Sequence, residues 1–307
     1  MIPITKGKVE TAKKVVIYGP EGIGKSTLAS QFPDAVFIDT EGSTKMLDVA
    51  RYPAPESWDN ILAYLEDAVR EKPCKTLVID TADWAEQFCS KAICERQRVK
   101  GIEDIGYGKG YTYIVEEFGK LLKICNDAID AGMNVVFTAH AQMRKFEQPD
   151  ELGAYDRWEM KLNKKTAALI KEWADMVLFC NYKTTVITDQ KTKSNKASGG
   201  HRVMYTSHHP CWDAKNRFGL EDVLEMDYDK IAHLFSNIKP VERKDIFVET
   251  IVANGLTVTD VRAFSEAKGN YPGVTPEDYP AEYKNALMKP ESIEKIKKYV
   301  KENKKNG

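Results

Sequence analysis

Charge of one sign, paired cysteines and long apolar runs are all missing from this sequence. Its 45 basic and 46 acidic residues leave a net charge of −1, so nucleic-acid binding would need local patches rather than a whole-molecule field. The six cysteines form no C-x-x-C pair, which fits reduced thiols in a reducing compartment. No apolar run approaches the roughly 20 residues of a membrane helix, and residues 1–14 are too polar for a signal peptide. These absences predict a cytoplasmic protein without a membrane partner.

A glycine-rich segment follows the apolar run Val15–Tyr18. It fits G-x-x-x-x-G-K-[ST] between a predicted strand and a predicted helix, the context that gives the pattern its meaning. The glycines let successive backbone N–H groups turn toward a phosphate chain. Lys25 supplies a charge for the β- and γ-phosphates, and the Ser26 hydroxyl can bind Mg²⁺. The segment predicts a nucleoside triphosphate site formed by Gly19, Pro20, Glu21, Gly22, Ile23, Gly24, Lys25, Ser26 and Thr27.

Five strand-like runs alternate with helical segments through the first part of the chain. Near-continuous apolar residues, as in Leu77–Ile79, suit strands buried on both faces of a parallel sheet. Alternation with segments such as Trp58–Glu71 and Tyr113–Ala131 predicts an α/β fold, a mostly parallel sheet with helices on both faces. Further along, Tyr182–Thr188 and Arg202–Thr206 predict a hairpin. The five runs are Val15–Tyr18, Ala35–Asp39, Thr76–Asp80, Asn134–Thr138 and Met176–Cys180.

The last part of the chain has a different pattern. Short helical pieces are interrupted by glycine and proline, and the chain ends in a lysine-rich helical segment. We therefore expect two domains: a nucleotide-binding core over residues 1–238, and a small helical C-terminal region over residues 239–307.

Two carboxylates at strand ends are candidates for metal binding and catalysis. Asp80 ends the strand Thr76–Ile79, which is the Walker B arrangement, and would hold Mg²⁺ beside Ser26, although aspartates at strand ends are common. Hydrolysis also needs a carboxylate that orients and deprotonates a water in line with the γ-phosphate. Thr81 occupies the position after Asp80, so Glu41, at the tip of another strand, is the candidate base. The alternative for Glu41 is a helix-capping acid.

Three motifs resemble those of known families. The segment D-T-E-G at residues 39–42 resembles the RecA family, which implies that Glu41 is catalytic. His140 ends the fourth strand, where RecA-like proteins carry a polar γ-phosphate sensor, and an imidazole can donate to a phosphate oxygen. The alternative for His140 is a buried structural histidine.

The segment K-N-R-F-G at residues 215–219 is similar to the motif of the bacterial RadA branch-migration proteins. It also resembles the Lys-x-Arg finger of hexameric replicative helicases. The resemblance implies that Lys215 and Arg217 reach the triphosphate of a neighbouring subunit and neutralise charge that develops on the transferred phosphoryl group. A solvated turn with basic residues is the alternative.

From about Lys13 to Phe235, the order of motifs resembles phage RecA-like ATPases of the AAA type, relatives of the Sak single-strand annealing proteins. The resemblance implies a RecA-like core that binds ATP and Mg²⁺ and forms a homo-oligomer with ATP at subunit interfaces. It implies action on single-stranded DNA in annealing or strand exchange, in the host cytoplasm if the gene is a phage gene. A single-strand binding protein is a further candidate partner. The alternatives are an AAA-like ATPase that loads or remodels a protein partner, and a small-molecule kinase, which lacks support because no arginine-rich lid pattern follows the fourth strand.

RecA-like proteins place two mobile loops, after the third and fourth strands, along the DNA path. The matching segments are Gly106–Tyr111 and Met143–Lys165, in which aromatic and basic residues are interleaved. This composition suits single-strand binding, where bases stack and phosphates pair with charges. Acidic residues in the second segment leave a partner-docking or subunit-contact role open. The candidate DNA-binding residues are Tyr107, Lys109, Tyr111, Arg144, Lys145, Tyr155, Arg157 and Trp158.

Overall fold

The computed structural model describes residues 6–7, 9–147, 153–188, 195–236 and 246–303. The chain divides into two compact units, Met1–Val241 and Glu242–Gly307. The predicted domain boundary after residue 238 falls among residues 237–245, outside the described residues. In the described ranges, no helix is long and apolar enough to cross a membrane.

The first unit is organised around a mixed sheet. Its described strands lie in the order β10-β8-β7-β1-β5-β4-β2-β3, with β6 beside β5 and β9 beside β7. The predicted hairpin is β7–β8, and β8 begins earlier than expected. The strands are β1 (Lys14–Gly19), β2 (Ala35–Asp39), β3 (Ala50–Arg51), β4 (Thr76–Asp80), β5 (Asn134–Glu147), β6 (Ala154–Met160), β7 (Met176–Thr188), β8 (Asn195–Tyr205), β9 (Lys215–Asn216) and β10 (Val223–Glu225).

Helices connect these strands and form the second unit. Helices α1 to α5 belong to the first unit and α6 to α9 to the second. They are α1 (Lys25–Ser30), α2 (Trp58–Glu71), α3 (Ala82–Gln97), α4 (Lys109–Asp130), α5 (Lys164–Trp173), α6 (Ile246–Ala253), α7 (Val258–Ala267), α8 (Ala281–Leu287) and α9 (Pro290–Asn303).

The centre of the sheet is parallel. Strand β1 lies between β5 and β7, and β4 joins β5 to β2, all in parallel pairs. Because side chains alternate across a strand, Val16 and Tyr18 pack into one core with residues of α2 to α5, whereas Val15 and Ile17 pack into another with α1. Helices therefore cover both faces, and the predicted α/β fold with a mostly parallel sheet is confirmed.

Helix α2 shows how local sequence sets these elements. The Ser57 side chain accepts a hydrogen bond from the Asn60 N–H at the start of the helix, and Lys72, with φ 51°, ends it. Residues on one stripe at helical spacing face the core, which stabilises the helix through burial rather than propensity. They are Trp58, Ile61, Leu65 and Ala68.

Strand β5 continues past its parallel neighbours as one arm of a hairpin with β6. Arg144 pairs with Arg157, and Phe146 pairs with Tyr155. The expectation of a mobile loop over Met143–Lys165 is therefore wrong for the described residues of that segment, which form two strands and the start of α5. The alternation of residue types there reflects the period of two of a β-strand.

The second unit has its own apolar core. Helix α7 begins at a capping box, in which Thr257 and Asp260 satisfy each other's backbone N–H groups. The buried residues of this apolar core come from all four helices and their connections. They are Phe247, Ile251, Leu256, Val261, Phe264, Tyr279, Leu287, Ile293 and Ile296.

Candidate nucleotide site

The phosphate loop, Asp80, Glu41 and His140 meet at one edge of the sheet. We call this the carboxyl edge, since the parallel strands β1, β4 and β2 end there and the parallel pairing of β5 with β1 ends there too. The register places Gly19 of β1 opposite His140 of β5, and Asp39 of β2 opposite Asp80 of β4. The glycine-rich segment follows β1 directly. The topology thus gathers residues that are up to about 120 positions apart in the chain, as adjacent parallel strands in this order require.

The glycine-rich segment forms a tight loop between β1 and α1. Gly22 and Gly24 have φ values of 72° and 105°, a backbone region that glycine adopts without steric cost. A Cβ at Gly19 would lie 2.3 Å from the Cys180 carbonyl oxygen of β7. The loop backbone therefore needs glycine at these positions for its shape and for its close contact with the neighbouring strand.

Lys25 is held inside this loop. Its Nζ donates to the carbonyl oxygens of Gly19, at 3.2 Å, and Pro20, at 3.1 Å. Burial lowers the pKa of Lys25, while the nearby carboxylates, Asp80 first among them, oppose that shift. The ammonium is thus available for a triphosphate, whose oxygens would replace two weaker carbonyl partners.

Asp80 fits a divalent cation. Its carboxylate is fully buried, and one oxygen accepts a hydrogen bond from the Thr138 hydroxyl. The other oxygen, Oδ2, has no hydrogen-bond partner among the described residues. Burial raises the pKa of Asp80, and the hydroxyls of Thr138 and Ser26 beside it lower it in part. A buried carboxylate oxygen without a partner, next to a serine hydroxyl, is the donor set that Mg²⁺ takes together with phosphate oxygens and waters.

Glu41 lies in the turn after β2, and Asp39 builds that turn. The Asp39 carboxylate accepts hydrogen bonds from the N–H groups of Gly42, at 2.7 Å, and Thr44, at 3.0 Å, and from the Thr44 hydroxyl at 2.6 Å. Asp39, rather than Glu41, therefore accepts the backbone N–H groups of this turn. This leaves the Glu41 side chain, 26% exposed, facing the site. Burial raises the pKa of Glu41, and the neighbouring carboxylates add to that shift while His140 and Lys25 oppose it.

His140 is bound on one side and faces Glu41 on the other. Its Nδ1 lies 2.8 Å from Asp83 Oδ2, and its backbone N–H donates to Asp83 Oδ1 at 2.9 Å. Its Nε2 lies 3.7 Å from Glu41 Oε1. Burial alone would raise the pKa of Asp83, but hydrogen bonds from His140 and Thr81 hold it below its usual range. Sequence reasoning missed Asp83, whose place in the first turn of α3 is typical of an ordinary helix-start acid.

Lys215 and Arg217 lie at the opposite edge of the sheet, which we call the amino edge. Strand β9 pairs with the first residues of β7. Lys215 Nζ donates to three carbonyl oxygens at the end of α5, and Arg217 binds Asp175 at 3.0 Å with 58% of its side chain exposed. Because β1 spans six residues, the two edges are roughly 20 Å apart. Neither residue is placed to reach the phosphate loop of its own chain.

The candidate DNA residues have different surroundings. Arg157 is buried in an ion pair with Asp213, and Trp158 packs against Phe179 and binds the Cys211 carbonyl through its backbone. These intramolecular partners contradict the expectation that both residues lie on an open loop.

The other candidates are more accessible. Tyr107, Lys109 and Lys145 are exposed, Tyr111 and Arg144 partly so, and Tyr155 stacks edge-on against Phe146. Lys109 and Tyr111 belong to the first turn of α4 rather than to a loop. The exposed set therefore lies at the start of α4 and along one arm of the β5–β6 hairpin.

A phosphate loop on the central strand, with a buried aspartate, a glutamate and a histidine at the same edge, defines a P-loop nucleoside triphosphatase. The chain belongs to the AAA domain family, whose pattern matches residues 11–218. Among solved structures, it is similar to the KaiC-like protein PH0186 from the hyperthermophilic archaeon Pyrococcus horikoshii OT3. The two are 17% identical, over 63% of this chain and 78% of that one, with a TM-score of 0.36. No curated protein matches the sequence.

Proposed function

We propose that this protein is a Mg²⁺-dependent ATPase that acts on single-stranded DNA in annealing or strand exchange. The observation that carries the ATPase part is the convergence of Lys25, the unpartnered oxygen of Asp80, and the Glu41–His140 pair at the carboxyl edge. These groups supply a counter-charge, a metal ligand, a base and a sensor within one site.

Each residue has a separate task in this proposal. Lys25 exchanges its contacts with the loop carbonyls for the β- and γ-phosphates of ATP. Ser26 and Asp80 hold Mg²⁺, which when bound offsets charge on the phosphates. Glu41 accepts the proton of the attacking water, and its raised pKa suits a base that must gain a proton. His140 is placed to change its contacts when a γ-phosphate enters.

The position of the β5–β6 hairpin supports the proposed action on single-stranded DNA. Strand β5 runs directly from His140 into the arm that carries the exposed Lys145, and the Lys161 N–H after β6 donates to the His140 carbonyl at 2.8 Å. Both arms of the hairpin are thus tied to the sensor residue. Exposed Tyr107 and Lys109 supply a ring and a charge of the kind that single-strand binding uses.

A second candidate function has its own support. Met143, on the same hairpin, is 53% exposed, and the segment carries both acidic and basic residues. An exposed apolar side chain among mixed charges suits a protein partner, as expected for an ATPase that loads or remodels another protein.

Two measurements separate the DNA function from the protein-partner function. ATP turnover is measured with single-stranded DNA, with duplex DNA and without DNA, and gel shifts are run with and without a non-hydrolysable ATP analogue. We expect single strands to raise turnover and to bind more tightly than duplex, and the analogue to raise affinity. Lys145→Ala should lower the salt dependence of binding by about one counterion. Lys268, an exposed residue at the C-terminal cap of α7, provides the control. Lys268→Ala should leave the salt dependence of binding unchanged. Equal or undetectable single-strand binding in both conditions would favour the protein-partner function.

A further inference from the structure

Both carboxylate oxygens of Asp83 contact one residue, His140. Oδ1 accepts the His140 backbone N–H at 2.9 Å, and Oδ2 lies 2.8 Å from His140 Nδ1. The Asp83 side chain is only 4% exposed, and the imidazole 9%. No other described carboxylate at the carboxyl edge contacts His140 this closely.

This contact fixes where the imidazole carries its first proton. An ionised carboxylate can only accept hydrogen bonds, so the ring nitrogen that faces it, Nδ1, must be the donor. Nε2, which faces Glu41 at 3.7 Å, then has a lone pair in the neutral ring and an N–H in the charged ring. A donor to a γ-phosphate oxygen is needed at Nε2, so His140 can act as a sensor only as an imidazolium.

Two carboxylates face this ring: Asp83 on α3 at 2.8 Å from Nδ1, and Glu41 after β2 at 3.7 Å from Nε2. Asp80 on β4 and Lys25 on α1 act on Glu41 from the same edge. From β1, the neighbour opposite His140 is Gly19, and the segment after β6 contributes the Lys161 backbone N–H. Three carboxylates and one lysine are thus gathered around the imidazole, and the incoming triphosphate adds more negative charge.

We propose that Asp83 is a positioning residue for ATP hydrolysis, which holds His140 with Nδ1 protonated so that Nε2 donates as a cation. Before ATP binds, this N–H faces Glu41. When ATP binds, Nε2–H turns to the γ-phosphate and Glu41 is left free to accept the proton of the attacking water. This assignment rests on the proposed ATPase function of the site.

The rival explanation is that Asp83 only ties β5 to α3 through the backbone N–H of His140. Asp83→Asn separates the two. The asparagine oxygen still accepts that backbone N–H, but its NH₂ group donates into Nδ1, which moves the ring proton to Nε2 and leaves the imidazole neutral. Geometry is kept while the tautomer and charge change.

Nitrogen-15 NMR of histidine-labelled protein without nucleotide is the first test. His140→Gln assigns the His140 signal among the five histidines. We expect the parental protein to show protons on both ring nitrogens of His140, and Asp83→Asn to show a protonated Nε2 with a lone-pair Nδ1. A parental ring that lacks the proton on either nitrogen would overturn the proposal, whether or not the protein hydrolyses ATP.

Kinetics provide the second test. Asp83→Asn should lower kcat about 10-fold, because Nε2 then donates from a neutral ring and a charge-assisted hydrogen bond is roughly twice as strong as a neutral one, with ATP affinity changed less than about two-fold. Glu86→Gln is the matched control, since Glu86 on the same helix accepts the Asn163 N–H at 2.9 Å and does not contact His140; it should keep the parental kcat. Equal kcat values for Asp83→Asn and Glu86→Gln would overturn the proposal. An inactive parental protein would instead overturn the proposed ATPase function.

Discussion

At the scale of single residues, the candidate site holds a buried carboxylate, Asp80, that the fold compensates only in part. Asp80 is buried, and its Oδ2 has no partner among the described residues. Burial raises its pKa above the ordinary value of 3.8. The folded protein therefore binds this proton more tightly than the unfolded chain, and stability is lost as pH rises from 3.8 through the folded pKa. This loss of folding stability indicates that Asp80 serves binding rather than folding.

Asp80→Asn should consequently make the nucleotide-free protein more stable at pH 7, by about 1–2 kcal/mol, since a poorly paired buried charge is removed. The gain should vanish below pH 3.8, where Asp80 is protonated in both states. Thermal unfolding at the two pH values measures this. Asp39→Asn, which weakens a carboxylate with several hydrogen bonds, is the control and should destabilise. A less stable Asp80→Asn protein at pH 7 would contradict the explanation.

The sequence indicated some of these residues and not others, for a physical reason. Lys25, Asp80, Glu41 and His140 each sit at a strand end or in a loop whose local pattern carries the signal. Asp83 contacts a residue 57 positions away, and nothing local to it shows that β5 passes beside the start of α3. A residue whose role depends on a long-range contact becomes visible only when the sheet order is known.

At the scale of elements, aromatic and basic residues of the β5–β6 hairpin have partners within the protein. Trp158 contacts Phe179 with ring centroids 6.0 Å apart and donates its backbone N–H to Cys211 at 2.7 Å. Arg157 binds Asp213. Composition alone indicates a nucleic-acid surface here. It does not show the partners of these residues, because those partners lie in segments that are distant in the sequence. The parallel core was easier to predict, since buried strands have near-continuous apolar runs.

We therefore expect Trp158→Ala to act mainly on folding. Loss of a partly buried indole should lower the free energy of unfolding by about 2–3 kcal/mol. Chemical denaturation measures the loss, and any effect on DNA binding should follow the folded fraction. Trp84 on α3, 39% exposed, is the control, and Trp84→Ala should cost less than about 1 kcal/mol. Specific loss of DNA binding by a Trp158→Ala protein of parental stability would restore the stacking role.

At the scale of the whole molecule, the phosphate loop and the K-N-R-F-G segment lie at opposite edges of one sheet. This separation means that Lys215 and Arg217 can meet a triphosphate only when another subunit presents its carboxyl edge. Lys215 is engaged with the end of α5, whereas the Arg217 guanidinium is more exposed. We infer that Arg217 is the better placed of the two to reach a neighbour.

Subunit mixing tests this arrangement. Arg217→Ala should keep ATP affinity and lose turnover in the assembled protein, and Lys25→Ala should lose both. A mixture of the two should regain part of the turnover, because some interfaces then join an intact loop to an intact Arg217. Turnover is measured across mixing ratios, with each variant alone as the control. Turnover that never exceeds the sum of the separate variants would leave the segment with a structural role alone.

Turnover of MgATP by Glu41→Gln tests whether ATP is hydrolysed at the carboxyl edge with Glu41 as the base. We predict near-parental ATP binding and hydrolysis at least 100-fold slower, as expected for loss of a positioned base. Lys25→Ala, measured beside it, should fail to bind. Hydrolysis by Glu41→Gln at the parental rate would show that Glu41 is not the base.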